Sequence, residues 1–189
     1  YGTNSPEKGL STLTFTYQEA LDYIHQFVHY GRRAQTQHRN MGLERMHRLL
    51  ALLGNPQEGL HAVHIAGSKG KGSTAAMTEA ILRAAGYKTG LYTSPHLHTF
   101  RERIRINGQL ISRPEVIQLA EEIKPAVDEI GNPSTFELIT AMAFLHFAHQ
   151  HVDWAVLEVG LGGRLDATNV VQPDICAITP LSYEHTDLL

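Results

Sequence analysis

His61-Ala62-Val63-His64-Ile65-Ala66-Gly67-Ser68-Lys69-Gly70-Lys71-Gly72-Ser73-Thr74 decides the fold. The apolar run at 61–66 reads as a short strand, and the glycine-rich stretch after it as a tight loop. Residues 73–85 are rich in alanine and stop at Gly86, as a helix with a glycine C-cap does. A second short strand-like run follows at 88–93. Strand, loop, helix, strand is a βαβ unit, which implies a parallel sheet. The expected fold class is therefore α/β, a mostly parallel sheet flanked by helices.

The loop itself carries chemistry. Backbone N–H groups converging from a tight turn, the positive end of a helix and a lysine together hold a triphosphate. Gly67, Gly70 and Gly72 let the backbone approach closely because no Cβ stands in the way. Lys71 is placed to reach the outer phosphates, and a charge-assisted bond of that kind contributes about 1.5–3 kcal/mol. Ser68, Lys69, Ser73 and Thr74 complete the candidate nucleotide-binding stretch, with Ser73 and Thr74 offering hydroxyls at the helix start. The strict pattern G-x-x-x-x-G-K-[ST] is missed twice, by Ile65 and by Gly72. A glycine-rich strand-to-helix turn with incidental lysines is the alternative.

Outward from the loop, two helical patterns precede it, at 16–30 and at 43–53, the second stopping at Gly54-Asn55-Pro56. Downstream, 103–111 alternates around Asn107-Gly108, a strong hairpin signal. Residues 113–130 read as a helix with Pro114 in its first turn, and 135–151 as another. The run 154–159 is apolar enough for a strand buried on both faces, and 175–179 is a further strand. Of the 189 residues 42% are apolar and 19% charged, a balance that supports one soluble core. The net charge of -3 gives no global basic field, so no nucleic-acid partner is expected. No apolar run reaches the roughly 20 residues of a membrane span. The single cysteine, Cys176, excludes an internal disulfide, reads as core filler in Ile175-Cys176-Ala177-Ile178, and fits a cytoplasmic location. The chain begins at Tyr1, not Met, and stops at Leu188-Leu189, which suggests a fragment of a longer enzyme.

Several polar residues fall just beyond strands, where α/β sheets bind ligands. Glu158 ends the buried strand and can hold Mg²⁺ or be satisfied by neighbouring amides. The glycine-rich Gly160-Leu161-Gly162-Gly163-Arg164-Leu165-Asp166 follows it at once. Ser94 in Thr93-Ser94-Pro95-His96 sits at the same edge, with a plain Ser-Pro turn as the alternative. His185, in Glu184-His185-Thr186-Asp187, follows the last strand and stands out for that reason among twelve histidines. Arg101, Arg103 and Arg105 form either a basic patch or a solvated strand face.

Taken in order, five blocks resemble the folylpolyglutamate synthase and dihydrofolate synthase family of the Mur ligase superfamily. They are Gly67 to Ser73; Tyr92-Thr93-Ser94-Pro95-His96-Leu97 with Glu102 to Gly108; Thr135-Phe136-Glu137; Leu157 to Asn169; and His185-Thr186-Asp187. Two departures stand out: Ser68-Lys69 replaces the commoner Thr-Asn, and Glu184 replaces an aspartate. The resemblance implies a P-loop NTPase-like sheet of the Mur ligase central-domain type. It implies that 1–189 is an incomplete N-terminal ATP-binding domain, poorly active without a C-terminal glutamate-binding domain. It also implies an ATP-dependent ligase that joins L-glutamate to dihydropteroate or a folate through an acyl phosphate. Lys71, Glu158 and His185 would then be catalytic, with Ser94, Glu158 and His185 as Mg²⁺ ligands. Ser134, Thr135, Phe136, Glu137, Leu165, Asp166 and Ala167 would face the pterin substrate. A monomer acting on small molecules is expected. A Mur-type ligase of cell-wall precursors and a non-catalytic nucleotide-binding module remain as alternatives.

Overall fold

The computed structural model describes residues 14–27 and 43–183. In chain order these form α1 (Tyr17–His25), α2 (Glu44–Leu52), β1 (Ala62–Ala66), α3 (Lys71–Ala84), β2 (Thr89–Tyr92), β3 (Ile104–Ile106), β4 (Gln109–Leu110), α4 (Arg113–Ile130), α5 (Thr135–His149), β5 (Trp154–Glu158) and β6 (Ile175–Ile178). Short 3₁₀ turns lie at Phe100–Arg103 and Ala167–Val170. The strands make one sheet in the order β4-β3-β2-β5-β1-β6. The four strands β2, β5, β1 and β6 run parallel. The hairpin of β3 and β4 joins antiparallel at the β2 edge.

Local chemistry accounts for most element ends. Thr16 with Glu19, Ser112 with Glu115 and Ser134 with Glu137 are capping boxes that start α1, α4 and α5. The hairpin turns through Asn107 and Gly108, both at positive φ, the backbone a tight primed turn requires. In α5 every residue from 137 to 147 is buried, so this helix lies inside the protein. Phe144 and Phe147 are fully buried there, and burying a side chain of that size contributes about 1.5–3 kcal/mol.

The alternation of strand side chains divides the core. Ala62, Tyr92, Ala155 and Leu157 face α1, α2, α4 and α5 and join the main apolar cluster. Val63, Ile65, Leu91 and Val156 face the other way and pack with Ala75 of α3. The second layer is thin, and α3 leaves Met77 and Ile81 more than half exposed.

Two expectations are corrected. The helix after the loop begins at Lys71, two residues before Ser73, because Gly70 at φ 84 closes the loop in the left-handed region. Cys176 is exposed and is no core filler. It lies on edge strand β6, where Ile175 and Ile178 are 52% and 72% exposed. The apolar run marked a strand correctly, but burial depends on what covers the edge.

Candidate nucleotide and metal site

Helix α3 is the exception among the longer helices: Gly70, its N-cap, offers no side chain to the first amides. A helix start without a side-chain cap, preceded by a glycine loop and carrying a lysine, suits an anion. Lys71 Nζ donates to the carbonyls of Gly67 at 2.7 Å and Ser68 at 3.4 Å. The loop is also tied to the segment after β6. Ser68 N and Lys69 N donate to Pro180 O at 3.1 and 3.5 Å. Ser68 Oγ exchanges hydrogen bonds with Ser182 at 3.0 Å. Thr179 passes so close that a Cβ at Gly67, where φ is +133, would stand 2.0 Å from Thr179 Oγ1. Ser73 and Lys69 are exposed, while Thr74 is half-buried.

Glu158 ends β5 beside this loop and is 5% exposed. Its Oε2 accepts the Ser94 N–H at 2.8 Å. Burial pushes its pKa up, against the opposing pull of the Ser94 amide, the Lys71 ammonium and the Gly72 amide. Gly72 is explained by the same group: a Cβ there would lie 3.2 Å from Glu158 Oε1 and 3.4 Å from Oε2. The hydroxyl residue of the strict phosphate-loop pattern would crowd the carboxylate, so glycine stands in its place.

Ser94 therefore meets Glu158 at one sheet edge. Its loop is held from below by Glu102, which accepts the amides of Leu97, His98 and Thr99 at 2.8–2.9 Å. The Leu97 and Thr99 amides take the Glu102 pKa down to about 2. Arg103 Nε donates to His96 Nδ1 at 2.9 Å. Arg101 and Arg105 likewise donate to the carbonyls of Ile111 and Glu102. The three arginines are half-buried and turned to local partners, not spread as a solvated face.

The carboxylate of Glu158 and the hydroxyl of Ser94 are the kind of oxygen donors that a hard cation such as Mg²⁺ takes. Among the described residues no group of three His, Cys, Asp or Glu forms a ready metal centre. His185, the third expected donor, lies outside the described residues, as do Glu184, Thr186 and Asp187.

The residues expected to face a pterin lie at the N-terminus of α5 and in the turn after β5. Most already have partners within the protein. Ser134 Oγ accepts the Glu137 amide, and Glu137 returns the bond to Ser134 N. Glu137 also forms a two-pronged ion pair with Arg45 of α2 at 2.7 Å. Phe136 lies against Gly160, where a Cβ would come 2.5 Å from its ring, and 6.0 Å from the Tyr92 ring centre. The Thr135 hydroxyl is buried and has no partner among the described residues. Asp166 is buried, Ala167 is buried beside it, and Leu165 is 46% exposed. The role of Arg45 had no signal in the sequence. The capping function of Ser134 and Glu137 did, in the spacing Ser-x-x-Glu.

The chain is similar to known proteins in sequence and in fold. Residues 65–189 match the Mur ligase middle domain. The chain is 44% identical over 179 residues to a dihydrofolate synthase/folylpolyglutamate synthase of Bacillus subtilis, covering 92% of this chain and 40% of that protein. It superposes on the crystal structure of folylpolyglutamate synthase (FPGS) from Thermotoga maritima with a TM-score of 0.79 at 47% identity, over 90% of this chain and 39% of that one. An FPGS–AMPPCP–folate complex gives a TM-score of 0.84 at 35% identity, over 93% and 42%. The chain belongs to the Mur ligase superfamily and, within it, to the folylpolyglutamate synthase family. It spans about two fifths of the length of these relatives.

Proposed function

We propose that the chain is the nucleotide-binding domain of an ATP-dependent ligase that adds L-glutamate to dihydropteroate, to a tetrahydrofolate, or to both. The observation that carries this reading is the meeting of the Lys71 loop and the buried Glu158 carboxylate at Gly72, with Ser94 bonded to the same carboxylate. Relatives named for folylpolyglutamate synthesis, and a relative solved with an ATP analogue and folate, support it.

In this reading Gly67, Ser68, Lys69, Gly70, Lys71, Gly72, Ser73 and Thr74 cradle ATP. Lys71 leaves the Gly67 carbonyl for the outer phosphates. Glu158 and Ser94 hold Mg²⁺, with His185 as a further donor. The ion supplies neutralisation of charge on the transferring phosphoryl group. A substrate carboxylate oxygen bonds to the γ-phosphorus as the bond to ADP breaks, giving an acyl phosphate. The glutamate amine then bonds to the acyl carbon, loses a proton, and inorganic phosphate leaves. Lys71 and the loop amides stay fixed on the charge that moves, which is where preorganised donors act best. Ser134, Thr135, Phe136, Glu137, Leu165, Asp166 and Ala167 shape the pterin side. A cytoplasmic monomer is part of the proposal. No helix among the described residues is long and apolar enough to cross a membrane.

The test uses the intact gene product with ATP, Mg²⁺ and radiolabelled glutamate. Label is expected on dihydropteroate or tetrahydrofolate. Label on a UDP-linked cell-wall precursor, with none on either pterin, would overturn the proposal.

A further inference from the structure

The main helical layer contains a buried polar chain that the phosphate site does not use. His64 lies in the middle of β1, beside Leu157 of β5 and Cys176 of β6. It is 7% exposed, and its Nε2 is 2.7 Å from Thr168 Oγ1. That hydroxyl lies 2.5 Å from Asp166 Oδ1. A hydroxyl has one proton, and the charged carboxylate takes it. Thr168 Oγ1 must therefore accept from the imidazole, so the network assigns the His64 hydrogen to Nε2. Burial lowers the His64 pKa against the pull of Asp166, which agrees with a neutral ring.

The other end of the chain is a backbone turn. Asp166 Oδ2 accepts the amides of Gly160 at 3.0 Å and Leu161 at 2.9 Å, while Oδ1 also accepts Thr168 N at 3.0 Å. The Phe136 ring packs against Gly160 and leaves no room there for a Cβ. The turn that leaves Glu158 is thus fixed between a carboxylate and the start of α5. Thr168, at 0% exposure, lies too deep to touch a ligand itself.

We propose that His64 and Thr168 are positioning residues: through the Asp166 carboxylate they fix the Gly160 and Leu161 amides and so the pterin-facing wall built from Phe136 and Leu165. The proposal rests on the ligase reading given above. His64 and the phosphate loop share β1, but the His64 side chain points away from α3, so the effect falls on the folate substrate and not on nucleotide.

Thr168→Val removes the hydroxyl and keeps the shape. In the intact gene product it is expected to raise KM for the folate substrate about tenfold, the size of effect that one lost buried hydrogen bond carries. The Kd for Mg²⁺–AMPPCP should stay within about twofold of wild type, because sites that share no partner are independent to about that degree. Thr168→Ser should restore KM. His64→Gln, which keeps an N–H donor, should stay near wild type where His64→Leu does not. Independently of activity, hydrogen exchange in peptides covering 158–166 should quicken in Thr168→Val and recover in Thr168→Ser. If the wild type transfers no glutamate, the ligase reading fails and the exchange result alone decides the relay. Unchanged exchange, equal behaviour of His64→Gln and His64→Leu, or equal losses of folate and nucleotide affinity would overturn the proposal.

Discussion

Glu158→Gln in the intact gene product is expected to lower glutamate transfer by about 10²–10³-fold, the usual effect of removing one preorganised electrostatic group from an active site. The loss should be accompanied by an AMPPCP affinity that no longer responds to Mg²⁺. The same substitution should act on stability with the opposite sign, and pH separates the two effects. Burial raises the Glu158 pKa above its ordinary 4.5. The folded protein therefore holds this proton where the unfolded chain has lost it. Stability falls as pH rises from the unfolded value through the folded one, and the penalty stays in full above that. Glutamine carries no charge, so the stability of the variant relative to wild type should improve between pH 4 and neutrality. Thermal unfolding of the two proteins over that range checks it. A difference in Tm that does not change with pH would show that Glu158 carries no desolvation penalty.

Gly67→Ala should be the most disruptive single substitution in the phosphate loop. At φ +133 an L residue is strained whatever the space, by about 1–3 kcal/mol. The new Cβ would also press on Thr179, 2.0 Å from Oγ1 and 2.8 Å from its carbonyl oxygen. Backbone strain and clash together predict a stability loss of about 3 kcal/mol or more, in the range that calls for a named cause. Urea unfolding measures it. Thr179→Ala in the same background removes Oγ1 but leaves the carbonyl and the strain, so it should recover only part of the loss. A double variant no more stable than Gly67→Ala would show that Thr179 is not the obstacle.

Much of this fold could be read from the sequence, because its signals are local. Asn107-Gly108 names a hairpin, Ser112-Arg113-Pro114-Glu115 starts a helix, and the apolar run to Glu158 is the buried central strand. The strand-loop-helix turn at 61–74 was equally legible. What the sequence could not supply depends on distant neighbours. Gly72 departs from the strict pattern because Glu158, 86 positions along the chain, fills the space. Cys176 is exposed because β6 falls at the sheet edge. The resemblance sets Asp166 among the pterin-facing residues, but no spacing rule shows that its carboxylate accepts from Gly160, Leu161 and Thr168. The partners of Glu137 and His64 lie 92 and 104 residues away, beyond any spacing rule.

The central claim is that the Lys71 loop and Glu158 serve one reaction that couples ATP cleavage to amide formation. The most direct measurement is ADP formation by the intact gene product, with the pterin substrate and glutamate added separately and together. One ADP per glutamate incorporated is expected, with dependence on both substrates and loss of both products in Lys71→Ala. Steady ADP formation without a pterin substrate and glutamate, or an unaffected Lys71→Ala variant, would contradict it.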